Sequence, residues 1–137
     1  MSDFTGAERT NYVTIADMEG LLAFLDGSGI ELVEQEGKHA LLPPDMSGDG
    51  CFPTGWGDDD DFEFEMRQVM KYVAVNEVLV IVSAGHERLR YVSGYASAYV
   101  RRADDTIERI SLSLTQIYAE ASKKFGINYA DISPAEY

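Results

Sequence analysis

The chain has 137 residues, 45% hydrophobic and 26% charged, which suits one globular domain with a core of its own. Its formal charge of −13 is lopsided: residues 1–66 carry 16 acidic against 2 basic side chains, a net of −14, and residues 67–137 carry 8 against 9, a net of +1. Such a field repels nucleic acid and anionic membranes and draws cations or basic protein surfaces, so direct nucleic-acid binding and membrane association are not expected.

One cysteine, Cys51, leaves no internal disulfide, and a cytoplasmic setting is the default expectation. The longest apolar run, Val78 to Val82, is far short of the roughly 20 residues that span a bilayer. The polar, acidic opening from Met1 to Arg9 has no apolar region of a signal peptide.

Residues 1–11 show no periodicity and are expected to form a flexible arm. From Ile15, the apolar positions Met18, Leu21, Leu22 and Leu25 recur at helical spacing, and Gly27 and Gly29 come next. That pattern predicts a helix over 15–26, with Thr14 as its N-cap. Residues 30–36 and 38–42 alternate around Gly37 as a hairpin, which Pro43 and Pro44 stop because proline has no donor for a ladder.

Residues 45–61 read as one long acidic, glycine-rich loop. Beyond it, Phe62, Met66, Val69, Met70 and Val73 fit one helical face, while Phe62, Phe64 and Met66 alternate as in a strand. The helix, over 62–74, is preferred, because the aspartates upstream would meet the unpaired donors of its N-terminus.

The sheet core comes after it. Val78 to Val82 is a continuous apolar run, with a turn candidate at Ala84-Gly85-His86. Leu89 to Val100 alternates, with Gly94 suggesting a bulge, and Ala103-Asp104-Asp105 suits a hairpin turn into a strand ending near Ser113. Tyr95, Ser97 and Tyr99 share one face, expected to be partly exposed; Ala96, Ala98 and Val100 share the other, small enough to lie beneath a helix. A last helix, 114–125, carries Leu114, Ile117, Tyr118, Ala121 and Phe125 on one side, with Ser113 as cap and Gly126 as stop. An irregular tail, 127–137, completes the chain.

These elements give a single α+β domain: an antiparallel sheet of about five strands with two or three helices packed on it, in the order α-β-β-α-β-β-β-α.

The chemistry-bearing residues support several readings. Asp45, Ser47, Asp49 and Gly50 resemble the opening of a calcium loop, but position twelve is Trp56 where the bidentate glutamate should stand, so no metal and no cofactor is assigned. Asp45, Asp49, Asp58, Asp59, Asp60 and Asp61 instead make a candidate surface for a basic macromolecule. Trp56, between Gly55 and Gly57, is either its aromatic anchor or a plug for an apolar gap. His39 and His86 lack ligand-spaced neighbours, and Cys51 lacks a paired cysteine or a placed base. Arg88, Arg90, Arg101, Arg102 and Arg109 lie among Tyr91, Tyr95 and Tyr99; pairing with Glu87, Glu108 and the acidic half is the simpler account than base stacking.

The leading expectation is a non-enzymatic interaction protein of the inhibitor, immunity or nucleic-acid-mimic type that binds a basic surface. A cation-dependent binding or hydrolytic domain using the same acids with a histidine is the alternative. A self-associating structural subunit is the third, and a homo-oligomer is compatible with all of them.

Overall fold

The computed structural model describes residues 4–44, 50–59, 61–87 and 91–135, with side chains from Gly6 onward except those of His86, Glu87 and Tyr91. The fold is α+β. Four antiparallel strands, β1 (Phe4–Thr10), β4 (Val78–Glu87), β5 (Tyr91–Arg101) and β6 (Ile107–Ser113), form a sheet in the order β1-β4-β5-β6. A separate hairpin pairs β2 (Glu31–Gln35) with β3 (Lys38–Leu42). Helix α1 (Met18–Leu25) lies between β1 and the hairpin, a 3-10 helix (Met66–Tyr72) precedes β4, and α2 (Gln116–Phe125) comes after β6.

The N-terminal segment corrects the expected flexible arm. Residues 4–10 pair with β4 from Phe4↔Glu87 to Thr10↔Ile81, although their sequence lacks apolar alternation. The missing signal is supplied by side-chain hydrogen bonds at the strand's end. Asn11 donates through Nδ2 to the Val78 carbonyl at 3.1 Å and accepts from the Val80 amide at 2.8 Å, standing in for a backbone pair. Thr10, 1% exposed, accepts from the Leu41 amide through its hydroxyl and so ties the sheet to the hairpin.

With β1 in place, β4 is paired on both edges. The expected turn at Ala84-Gly85-His86 is therefore strand, matched to Ala7, Gly6 and Thr5 on one side and to Gly94, Ser93 and Val92 on the other. The expected bulge at Gly94 is also absent: the register runs unbroken from Val78↔Val100 to Glu87↔Tyr91. Gly94 has a packing reason instead, since a Cβ there would come within 3.0 Å of Leu114.

The α1 helix starts at Met18, and its cap is Asp17 rather than Thr14. Asp17 Oδ1 accepts from the Gly20 amide at 2.9 Å, whereas the Thr14 backbone is bound to Glu77 and Ala74 in an extended link. The hairpin turn is Glu36-Gly37, both at positive φ as a two-residue connection requires.

Residues 62–74 keep the expected buried face (Met66, Val69, Met70, Val73) but coil as a 3-10 helix that starts only at Met66. Phe62 and Phe64 are held outside it, because the Phe64 amide donates to the Thr54 carbonyl at 2.7 Å and both rings pack on Trp56. At its other end, Arg101 of β5 donates through Nε to the Met70 carbonyl at 2.9 Å and through Nη2 to the Val73 carbonyl at 2.6 Å. The guanidinium thus gives the Val73 carbonyl a donor and shares the Met70 carbonyl with the Val73 amide, closing the C-terminal end of the coil.

The core lies on one face of the four-stranded sheet. Leu79, Ile81 and Tyr99 meet Val13, Leu21, Leu41, Val69 and Met70 from the covering elements. The expected partial exposure of the tyrosine face holds at Tyr95, 44% exposed, whereas Ser97 and Tyr99 are buried; Ala96, Ala98 and Val100, expected beneath a helix, lie half-buried on the outward face. The last helix, expected from Leu114 with a Ser113 cap, begins at Gln116 with Thr115 in the cap position and buries no residue. The tail holds a short 3-10 turn, Tyr129–Asp131.

Arg101 is 15% exposed and its acidic partner Asp105 is 81% exposed, at 3.0 Å. Replacing Arg101 by Met removes two charged donors, leaves the Val73 carbonyl without one, and is expected to lower stability by about 2 kcal/mol in urea unfolding. Asp105→Asn removes only a screened surface pair and should cost less than about 1 kcal/mol. Equal losses would mean that the carbonyl contacts contribute nothing.

Candidate functional site

The long acidic segment is anchored at several points. Gly50 and Phe52 meet β1, where the Glu8 amide donates to the Gly50 carbonyl and the Phe52 amide donates to Glu8 Oε1 at 2.7 Å. Gly50, at φ +73, lies so near the Gly6 carbonyl that no side chain fits there. Further on, Trp56 stacks edge-on against Phe24 of α1 with ring centres 5.5 Å apart, and meets Phe62 and Phe64 at 5.0 Å each. Phe24 also touches Phe62, Phe64 and Tyr72, so five rings form one cluster.

The indole is half-buried in this cluster. Of the two readings open for Trp56, the plug describes its contacts: it fixes the base of the loop. An aromatic cluster of this kind stabilises beyond its buried area, because ring edges and faces carry opposite partial charge.

Asp58, Asp59 and Asp61 stand on that base, all exposed. Asp59 Oδ1 accepts from the Asp61 amide at 3.0 Å, which turns the chain locally. Among the described residues none of the three pairs with a lysine or arginine. Asp45, Ser47, Asp49 and Asp60 lie outside the described residues. Exposed carboxylates extend well beyond the loop, to Glu19, Asp26, Glu34, Glu36 and Glu63 on the α1 and hairpin side. The result is an acidic face larger than the predicted segment.

Among the described arginines, Arg67 pairs with Glu65 of the acidic half at 3.7 Å, and the others are occupied elsewhere. Arg102 pairs with Glu108, Arg101 with Asp105, and the guanidinium of Arg109 lies 5.8 Å from the centre of the Tyr99 ring. Arg9 lies over Tyr12 at 5.6 Å. Local pairing accounts for Arg101 and Arg102, but none of these four arginines pairs with the acidic face. Arg88 and Arg90 lie outside the described residues.

His39 is half-buried on β3, bridged through its backbone to Val13, and its buried Nδ1 has no hydrogen-bond partner. The His86 side chain is outside the described part of the molecule, and Cys51 is half-buried at the start of the loop. Among the described residues, no three His, Cys, Asp or Glu side chains are placed to share a cation. No described helix is long and apolar enough to cross a membrane.

Two features escaped sequence reasoning. The first is a cavity of about 530 Å³ between the inner sheet face and the loop, lined in part by Glu8, Phe52, Phe64, Tyr95 and Arg109. Its charged floor is already engaged, because the Tyr95 hydroxyl donates to Glu8 Oε2 at 3.0 Å. The second is the outer sheet face, where Val78, Val82, Val92, Ile110 and Leu112 are exposed together. Its signal was present: a continuous apolar run marks a strand with apolar residues on both faces.

Burial, then the neighbouring Glu8 carboxylate, pushes the Tyr95 hydroxyl up to about 12 from its ordinary 10. A folded-state value above the unfolded one gives stability that is full below pH 10 and fades as pH rises through 12. Tyr95→Phe should therefore lose stability near neutrality yet flatten the alkaline decline, read by chemical denaturation from about pH 8 to about pH 12. An unchanged alkaline slope would refute the coupling. Comparison with protein-family models, curated proteins and solved structures gives no match.

Proposed function

We propose that this chain is a non-enzymatic interaction protein whose acidic face binds a basic macromolecular surface. The observation that carries the reading is the sorting of charge in space. The −14 half supplies α1, the hairpin and the loop, which cover the inner side of the sheet, and most of its described carboxylates are exposed. A concentrated field of one sign raises the encounter rate with an oppositely charged partner. The aromatic base beneath Asp58, Asp59 and Asp61 supports the same reading, since a pre-ordered contact loses less entropy on binding. The contact then includes the loop residues Asp45, Asp49 and Asp60 and the half-buried edge of Trp56. The lone Cys51 suits a reducing compartment such as the cytoplasm.

The test uses an arginine-rich peptide as probe and the emission of Trp56, the single tryptophan, as signal. A D58N/D59N/D61N variant is expected to bind the peptide at least about fivefold more weakly at low salt. A control with three exposed acids of the near-neutral half neutralised, D105N/E120Q/D131N, should change affinity less than about twofold. Equal weakening in both variants would mean unspecific attraction to a charged body and would end the assignment to the loop.

A further inference from the structure

Independently of the acidic face, the opposite side of the molecule carries an unfinished apolar surface. Along β4, Val78, Val80 and Val82 face outward; in register beside them stand Val100, Ala98 and Ala96 of β5, and next Glu108, Ile110 and Leu112 of β6. Ile110 is 71% exposed and Leu112 66%. Because β5 contributes mostly small side chains between taller valines and leucines, the face is troughed. A depression of about 240 Å³ lies there, lined by Val78, Ala98, Val100 and Ile110, with the Arg102–Glu108 pair at its rim.

The same chain carries a ridge of matching chemistry. Helix α2 turns Tyr118 toward the tail, where it meets Tyr129 and accepts from the Ala135 amide. On that same side Ile117 and Phe125 stay exposed, continuing a stripe that begins at Leu114 over Gly94. Ten residues of helix extend about 15 Å, comparable with the outward run of β5. We propose that two copies of this chain pair reciprocally, α2 of each copy lying on the outer sheet face of the other.

Three observations select a second copy as the occupant. The face and α2 together leave Val78, Val82, Ile110, Leu112, Ile117 and Phe125 exposed, and reciprocal pairing covers all six in each copy. The trough and the ridge are both free in one molecule, so a two-fold axis satisfies each with the other. Finally, β4 to β6 and α2 belong to the half with 8 acidic and 9 basic residues, so two copies approach through their neutral sides. The acidic faces then point to opposite poles, where their repulsion is screened by distance and salt.

Sedimentation equilibrium of the full chain is the test. The wild type is expected at twice its 15.2 kDa mass at tens of micromolar. Both I110E/L112E, on the trough, and I117E/F125E, on the ridge, should sediment as monomers, with dissociation constants raised at least about 100-fold. All four positions are exposed, and circular dichroism will report whether each variant keeps its fold. Leu22→Glu, an exposed apolar position on α1, serves as control and should leave the dimer intact. A wild type that stays monomeric even at about tenfold higher concentration, or a dimer that survives either double variant in folded form, would overturn the proposal. Loss of peptide binding in the acidic-loop variant without loss of the dimer would leave it standing, so the two readings fail separately.

Discussion

A sheet has two faces, and β4 is apolar on both. That constraint shapes the rest of the molecule. Leu79 and Ile81 turn inward and hold the core; Val78, Val80 and Val82 turn outward. Because β1 and β5 pair with both edges of β4, its backbone needs no further partner. The free energy still available lies in side chains. The inner face is closed by α1, the hairpin and the 3-10 helix, pinned by Thr10, Asn11 and Arg101 through hydrogen bonds to backbone groups. Each of those bonds joins elements far apart in sequence. The covering layer is thus fixed by a few polar contacts as well as by apolar contact.

That layer also decides where the charge goes. Elements that cover a core from outside expose their own outer surface, and here those elements come from the acidic half. The carboxylates of Asp26, Glu34, Asp58 and Asp59 therefore point away from the sheet. The lysines and arginines are mostly left near the strands and α2, where Arg102 meets Glu108. Neutralising the acids from within would require arginine side chains to cross the core, and burying them would cost several kcal/mol each. The separation of charge is a consequence of the chain's order and needs no special device.

The legible parts of the sequence were those whose signal is local. Helical spacing over Met18 to Leu25, a turn at Gly37, the Asp104-Asp105 turn and the α+β class could all be read from neighbours in the chain. The parts that stayed hidden depend on distant partners. β1 has no apolar alternation, and its pairing relies on Asn11 meeting Val78 and Val80, 67 and 69 positions away. Gly94 looked like a bulge because the side chain above it, Leu114, comes from another strand's end. At the site, the exposure of Asp58, Asp59 and Asp61 was legible from composition. The five-ring base was not, since Phe24 joins it from α1.

The inward turn of Ser97 and Tyr99 puts the small residues of β5 on the outer face. Small residues suit a helix above them, and a helix was expected there. In one molecule α2 instead stands beyond the end of β6, held by Tyr118 to the tail. The preference of Ala96 and Ala98 for a close neighbour, and the apolar stripe of α2, are then both unmet within a single chain. A surface whose residue sizes fit a helix, beside a helix whose apolar side lacks a surface, is relieved most simply when the two belong to different copies. Such a pairing would also place two acidic faces back to back. One assembly could then grip two basic surfaces or two patches of one, raising the effective concentration of the second contact.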